Sequence, residues 1–186
     1  MERKSLWISL FIVISLLFTR IIPHAPNFTS AMAGLIFGGV ILRKGIYAII
    51  ILTGYYIADL LINNITYSAD QSGFQWTSQS FGYIYISLFL SYFISRLFSN
   101  SMENPLKIIG VSLVCSILFF TLSNFGVWME GLIYTQNISG LITCYVAALP
   151  YLMNEIAASI FFSCLYFGVY WLYETRTEQK VISHRI

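Results

Sequence analysis

Charge is what this sequence has least of. Aspartate, glutamate, lysine and arginine make up 10% of its 186 residues, against roughly 25% in soluble domains. So few charges cannot cover the outside of a water-soluble fold. The net charge of +2 is too small and too dispersed to attract nucleic acid. Histidine is almost missing, with only His24 and His184, and the topology derived below puts them on opposite faces of a membrane. A paired-histidine haem site or a histidine-rich zinc site is therefore excluded within one chain. G-x-S-x-G, Walker and H-E-x-x-H patterns are also absent, and with them the catalytic sites they mark. The expectation is a protein that is not an enzyme and holds no metal or cofactor. Cys115, Cys144 and Cys164 are odd in number and fit neither a zinc knuckle nor a disulfide framework. They are expected to be buried free thiols, packing as small apolar groups.

What the chain has in abundance is apolar length. Hydrophobic residues make up 58% of it and its mean hydropathy is +0.74, which points to an all-α polytopic membrane protein in the lipid bilayer. The length suits one transmembrane domain over residues 1–186. A helix crosses a bilayer with about 20 apolar residues, and the runs predict spans at about 6–22, 30–42, 45–62, 80–98, 107–128 and 151–173. Arg3 and Lys4 precede the first run as in a secretory signal. The A-x-A-like site Ala31-Met32-Ala33 lies too far beyond that run for usual cleavage, so a retained first span is expected. Residues 139–149 are apolar but too short to span, and Pro150 is expected to end them. They read as an interfacial or re-entrant helix on the outer side.

Lysine and arginine then orient the six spans. With the N-terminus in the cytoplasm, Arg3, Lys4, Arg43, Lys44, Arg96, Lys107, Arg176, Lys180 and Arg185 fall inside, and only Arg20 falls outside. Both termini are expected to be cytoplasmic. N-x-S/T triplets begin at Asn27, Asn64 and Asn137 on the outer side; chance accounts for them in a chain this rich in Asn, Ser and Thr.

Three features are candidates for function. Ser30, Gly34 and Gly38 form a small-residue stripe at four-residue spacing, a pattern that lets helix backbones approach closely in lipid. It serves either internal packing or docking of another membrane subunit. Asp59 lies near the outer end of the third span and Glu155 near the start of the sixth, followed by Ser159 and Ser163. Ionisable groups in spans face a polar cavity or a partner, unless they sit at a solvated end. The outer segments carry His24, Asn27 and Thr29 after the first span, Asn124 and Trp128 at the end of the fifth, and Tyr145 and Asn154 around Pro150. Aromatic rings with a few amide and imidazole groups suit a neutral or weakly polar ligand. An interfacial aromatic belt would look similar.

Residues Arg20-Ile21-Ile22-Pro23-His24-Ala25-Pro26-Asn27-Phe28-Thr29 with Phe37-Gly38-Gly39 resemble the first signature of an uncharacterised family of bacterial membrane proteins. Its second signature resembles Ser123 to Trp128, then Gly140 to Tyr145 and Ala148-Leu149-Pro150. The resemblance covers about residues 20–170. That family is similar, more remotely, to the substrate-binding S components of energy-coupling-factor (ECF) transporters. It implies a six-helix protein of the bacterial inner membrane that binds a small solute from outside. It also implies docking to a transmembrane coupling subunit driven by ATPases. The family tends to carry an acid one turn into its last span near a Gly-Asp pair; here Ala158-Ser159 stand there and Glu155 lies earlier. Three readings follow: a solute-binding protein with a pocket at His24, Asn27, Asn124, Trp128, Tyr145, Asn154 and Glu155; a scaffold or assembly subunit without ligand; and an intramembrane enzyme using Glu155 or Asp59.

Overall fold

A computed structural model describes residues 2–66, 73–99 and 104–183 of the chain. His184 and Arg185 lie outside the described residues, as do Ser72 and Ser101. Among the described residues six helices run in order: α1 (Glu2–Ile21), α2 (Ala31–Phe37), α3 (Gly45–Leu61), α4 (Phe81–Leu97), α5 (Pro105–Met129) and α6 (Ile138–Ser183). α2 and α3 are each extended by one π-helical segment, Gly38–Leu42 and Ile62–Thr66. No strand occurs among the described residues. Among the described residues four stretches are long and apolar enough to cross a membrane: Arg3–Ile21, Gly45–Ile65, Pro105–Met129 and Ile138–Thr175. Ala31–Leu42 and Phe81–Leu97 are shorter apolar helices. The protein is a multi-pass membrane protein.

Local chemistry sets several helix ends. Asn104 caps α5, its side-chain oxygen accepting from the Leu106 N–H at 2.9 Å, with Pro105 in the first turn. A proline there costs no hydrogen bond and has its φ preset. The π-helical extension of α2 stops at Arg43, whose φ of 60° leaves the helix. The Arg43 guanidinium turns back to donate to the Val40 carbonyl at 3.2 Å. α4 starts after Ser80, whose N–H donates to Oε1 of Glu130 at 2.5 Å. A carboxylate suits that position because the helix N-terminus carries partial positive charge.

The core is built around α2, every residue of which is buried. Phe37 meets the rings of Tyr166, Phe167 and Tyr170 at 5.8, 5.0 and 5.7 Å. A helix surrounded on all sides by protein needs no lipid-facing surface and need not match the hydrocarbon thickness. That explains why so short a segment is stable here. The longer helices turn their bulky apolar side chains outward, among them Ile14 and Phe18 on α1, Ile49 on α3, and Phe161 and Val169 on α6. In a membrane those faces meet lipid.

Two sequence expectations need correction. The break at Pro150 does not occur, and residues 139–149 are the first turns of the 46-residue α6 rather than a separate outer re-entrant helix. At about 1.5 Å per residue α6 is roughly 69 Å long, more than twice a hydrocarbon core of about 30 Å. Pro150 sits on the exposed side of α6. Its cost is one backbone hydrogen bond, which membrane helices tolerate. Tertiary bonds hold the first turns in place. The Tyr145 hydroxyl donates to the Thr121 carbonyl of α5 at 2.7 Å, and Cys144 Sγ reaches the Asn124 carbonyl at 3.4 Å. The second correction concerns the thiols: Cys115 and Cys144 are buried, but Cys164 is exposed.

Candidate functional site

The site begins at the last turn of α1. Arg20 there is the one base expected on the outer side, and its Nη2 donates to Oδ1 of Asp59 on α3. Tyr55 stands one turn before Asp59 on the same face of α3. The Arg20 guanidinium lies 4.3 Å from the centre of its ring, a cation–π contact. Ser78, ahead of α4, donates to the other carboxylate oxygen of Asp59 at 3.4 Å. The pair is largely removed from solvent, with side-chain exposures of 15% for Arg20 and 7% for Asp59. Removing one member of such a pair costs about 3–5 kcal/mol, because the other charge is left buried alone. Tyr85 of α4 packs edge-on to Tyr55 at 5.6 Å and backs the cluster.

These residues form one wall of a cavity of about 530 Å³. All six helices contribute to it: Arg20 from α1, Ala31 and Met32 from α2, Tyr55 and Asp59 from α3, Leu88 from α4, Phe119 from α5 and Glu155 from α6. The segment from Ile22 to Thr29 borders its mouth through Pro23, His24, Pro26 and Asn27. Asn27 adopts a left-handed φ of 63°, which asparagine tolerates better than most residues. Phe28 anchors the segment against Phe161 and Phe162 of α6, with ring centres 6.4 and 5.9 Å away. The Asn154 side chain donates to the Pro26 carbonyl at 2.9 Å and ties the segment to α6 a second time.

Glu155 is 6% exposed, lines the cavity, and accepts no hydrogen bond and joins no ion pair among the described residues. Arg20 lies within electrostatic reach of it. Two donors lining the same cavity, Arg20 Nε and Asn63 Nδ2, are buried with no acceptor among the described residues. Buried polar groups are ordinarily paired. A cavity with one carboxylate and two donors left over can therefore hold a molecule that supplies both kinds of partner.

The sequence-predicted residues divide clearly. His24, Asn27 and Glu155 line the cavity. Asn154 supports its mouth from behind. Asn124, Trp128 and Tyr145 are not cavity residues, and their polar atoms serve the α5–α6 hairpin. Asn124 donates to the Phe120 carbonyl at 2.8 Å within its own helix. Trp128 Nε1 donates to the Thr135 carbonyl at 3.0 Å in the turn, and Tyr145 joins α6 to α5. The pocket shared by His24 and Trp128 is thus not assembled.

The triplet asparagines serve turns as well: Asn64 bonds twice to the Gln75 backbone, and Asn137 Oδ1 accepts from the Gly140 N–H. The Ser30, Gly34, Gly38 stripe is buried against the chain's own helices. Ser30 bonds to Thr19, Gly34 abuts Ile12, and Gly38 abuts Ile51 and Tyr92. Sequence reasoning missed Arg20, Tyr55, Asn63 and Ser78 as site residues. The available signal was one outer arginine and one acid in a span, both expected at the same membrane level.

No curated protein and no solved structure matches the chain. The two signature segments noted in the sequence meet around this site in different ways, the first bordering the cavity and the second closing the α5–α6 hairpin behind it. A family model matches almost the whole length, and the chain belongs to the family of unknown function DUF6580, matched over residues 1–181.

Proposed function

We propose that this protein binds a small polar solute in the cavity between its six helices, as an S-component-like protein of the bacterial inner membrane and not as an enzyme. The observation that carries the reading is the wall of the cavity, where Arg20, Asp59 and Glu155 face a space of about 530 Å³. That volume falls within the range of roughly 300–1,000 Å³ typical of small-molecule sites. Charged side chains inside a bilayer are costly and mark solute or ion pathways. A scaffold without ligand would give no role to a buried carboxylate that no described residue pairs. The proposed orientation has both termini in the cytoplasm and the mouth at His24 and Asn27 open to the outer side, as the distribution of lysine and arginine supports. Any coupling subunit would use a face other than the buried Ser30, Gly34, Gly38 stripe.

Native mass spectrometry of protein extracted gently from its own membrane tests the reading. Thr29 is half-buried at the cavity mouth, so Thr29→Trp blocks the entrance without intruding on the core. The expected result is a small-molecule adduct on the wild type that is absent from Thr29→Trp. A wild type without any adduct, or an equal adduct on both proteins, overturns the proposal.

A further inference from the structure

We infer that the solute carries an organic ammonium group, which pairs with Glu155, together with a hydrogen-bond acceptor that faces Arg20 and Asn63. The inference rests on the solute-binding reading and adds the chemical class of the ligand. Four other titratable side chains face the cavity. Arg20 and Asp59 satisfy each other, Tyr55 lies under the guanidinium, and His24 is exposed at the mouth with Nδ1 2.6 Å from the Ala25 carbonyl. Counted by formal charge, Arg20 and Asp59 cancel and Glu155 is left over. A carboxylate that is only 6% exposed is expensive to hold without a counter-charge. Among the described residues no base provides one by contact.

The remaining lining decides what kind of cation fits. Calcium takes six to eight oxygen ligands, and magnesium near-octahedral oxygen coordination. Here Glu155 shares the cavity with apolar Met32, Leu88 and Phe119, and the described residues contain no cluster of three His, Cys, Asp or Glu side chains able to hold a metal ion. Apolar walls and an aromatic ring suit the carbon skeleton of an organic amine, and a ring face adds cation–π attraction. Arg20 Nε and Asn63 Nδ2 are donors without acceptors, so the same molecule must present an oxygen such as an amide or hydroxyl at the other end. An organic anion is disfavoured because the one arginine in the cavity is already paired.

Three probes on one skeleton test this on the full chain in lipid nanodiscs: 4-(aminomethyl)benzamide, 4-(hydroxymethyl)benzamide and 4-carboxybenzamide. The amine is expected to bind at least tenfold tighter than the alcohol, and the acid weakest. Glu155→Gln keeps the shape and removes the charge. It is expected to lower amine affinity at least tenfold and alcohol affinity by no more than about threefold, with its melting temperature recorded alongside. Equal binding of amine and alcohol, or an amine affinity unchanged in Glu155→Gln, overturns the ammonium assignment and leaves cavity binding standing. If none of the probes binds, the assignment falls too. Cavity binding falls with it only if the wild type also carries no native adduct.

Discussion

Arg20 and Asp59, 39 positions apart in the chain, form an ion pair that joins the end of α1 to α3. The two side chains also form one wall of the cavity. Asp59→Asn is expected to destabilise the protein by about 3–5 kcal/mol, since it leaves the Arg20 charge buried without a partner. The double variant Arg20→Met, Asp59→Leu removes both charges and replaces them with apolar volume, which is often neutral. Thermal unfolding in detergent checks this. The double variant should melt well above Asp59→Asn, and a double variant that melts lower than the single would show that the pair itself stabilises the fold.

Gly34→Leu tests what the small-residue stripe is for. A Cβ at Gly34 would already press on the Cγ2 of Ile12, so a leucine must push α1 away from α2. Overpacking of this kind typically costs about 1–3 kcal/mol. The isolated protein should therefore melt lower and elute more heterogeneously from a sizing column. A variant that folds as well as the wild type and loses only a co-purifying protein would instead place the stripe at an interface with another subunit.

The helices were legible in the sequence because hydrocarbon thickness is written directly into the length of an apolar run. The runs at 6–22, 45–62, 80–98 and 107–128 each correspond to one observed helix. Pro150 misled because a local stop signal was weighed without its surroundings. Tyr145 and Cys144 were already committed to α5, and the proline faced outward. Glu155 and Asp59 stood out as charges within apolar runs. The partner of Asp59 did not, since nothing in a run's composition says that α1 lies beside α3. Trp128 and Asn124 looked like ligand-binding groups for a related reason. Their polar atoms are used within a few residues by their own helix and turn, a local satisfaction that composition does not reveal.

Topology is testable by labelling. In a background where Cys115, Cys144 and Cys164 are replaced by serine, single cysteines at Ser72 and Gln136 should react with a membrane-impermeant maleimide added to whole cells. One at Ser101 should react only after the membrane is opened. Ser72 and Ser101 lie outside the described residues, so the expectation rests on the placement of lysine and arginine. Gln136 is exposed in the α5–α6 turn, where its side chain donates to the Met129 carbonyl at 2.7 Å. Reaction of the cysteine introduced at Ser101 on intact cells would reverse the orientation or change the number of crossings.

Trp128→Ala and Glu155→Gln separate the two places where polar signature residues gather. Trp128 packs against Phe125 at 5.5 Å and bonds the Thr135 carbonyl, so truncation removes apolar contact and one hydrogen bond. A net hydrogen bond contributes about 0.5–1.5 kcal/mol. The lost ring area adds to that, and a loss of roughly 1–3 kcal/mol in stability is expected. Because Trp128 does not line the cavity, affinity for the amine probe should stay within about twofold of wild type. Glu155→Gln should do the opposite, costing the probe at least roughly tenfold, about 1.4 kcal/mol, with no loss of melting temperature, since it removes a buried unpaired charge. His24→Ala belongs between them: the ring borders the mouth but is exposed and turned to the Ala25 carbonyl. Its loss should change affinity by less than about threefold, well under 1 kcal/mol. Calorimetry on the three variants in one detergent reads all of these together. A tenfold loss in Trp128→Ala with an unchanged melting temperature would move the ligand site from the cavity to the α5–α6 hairpin.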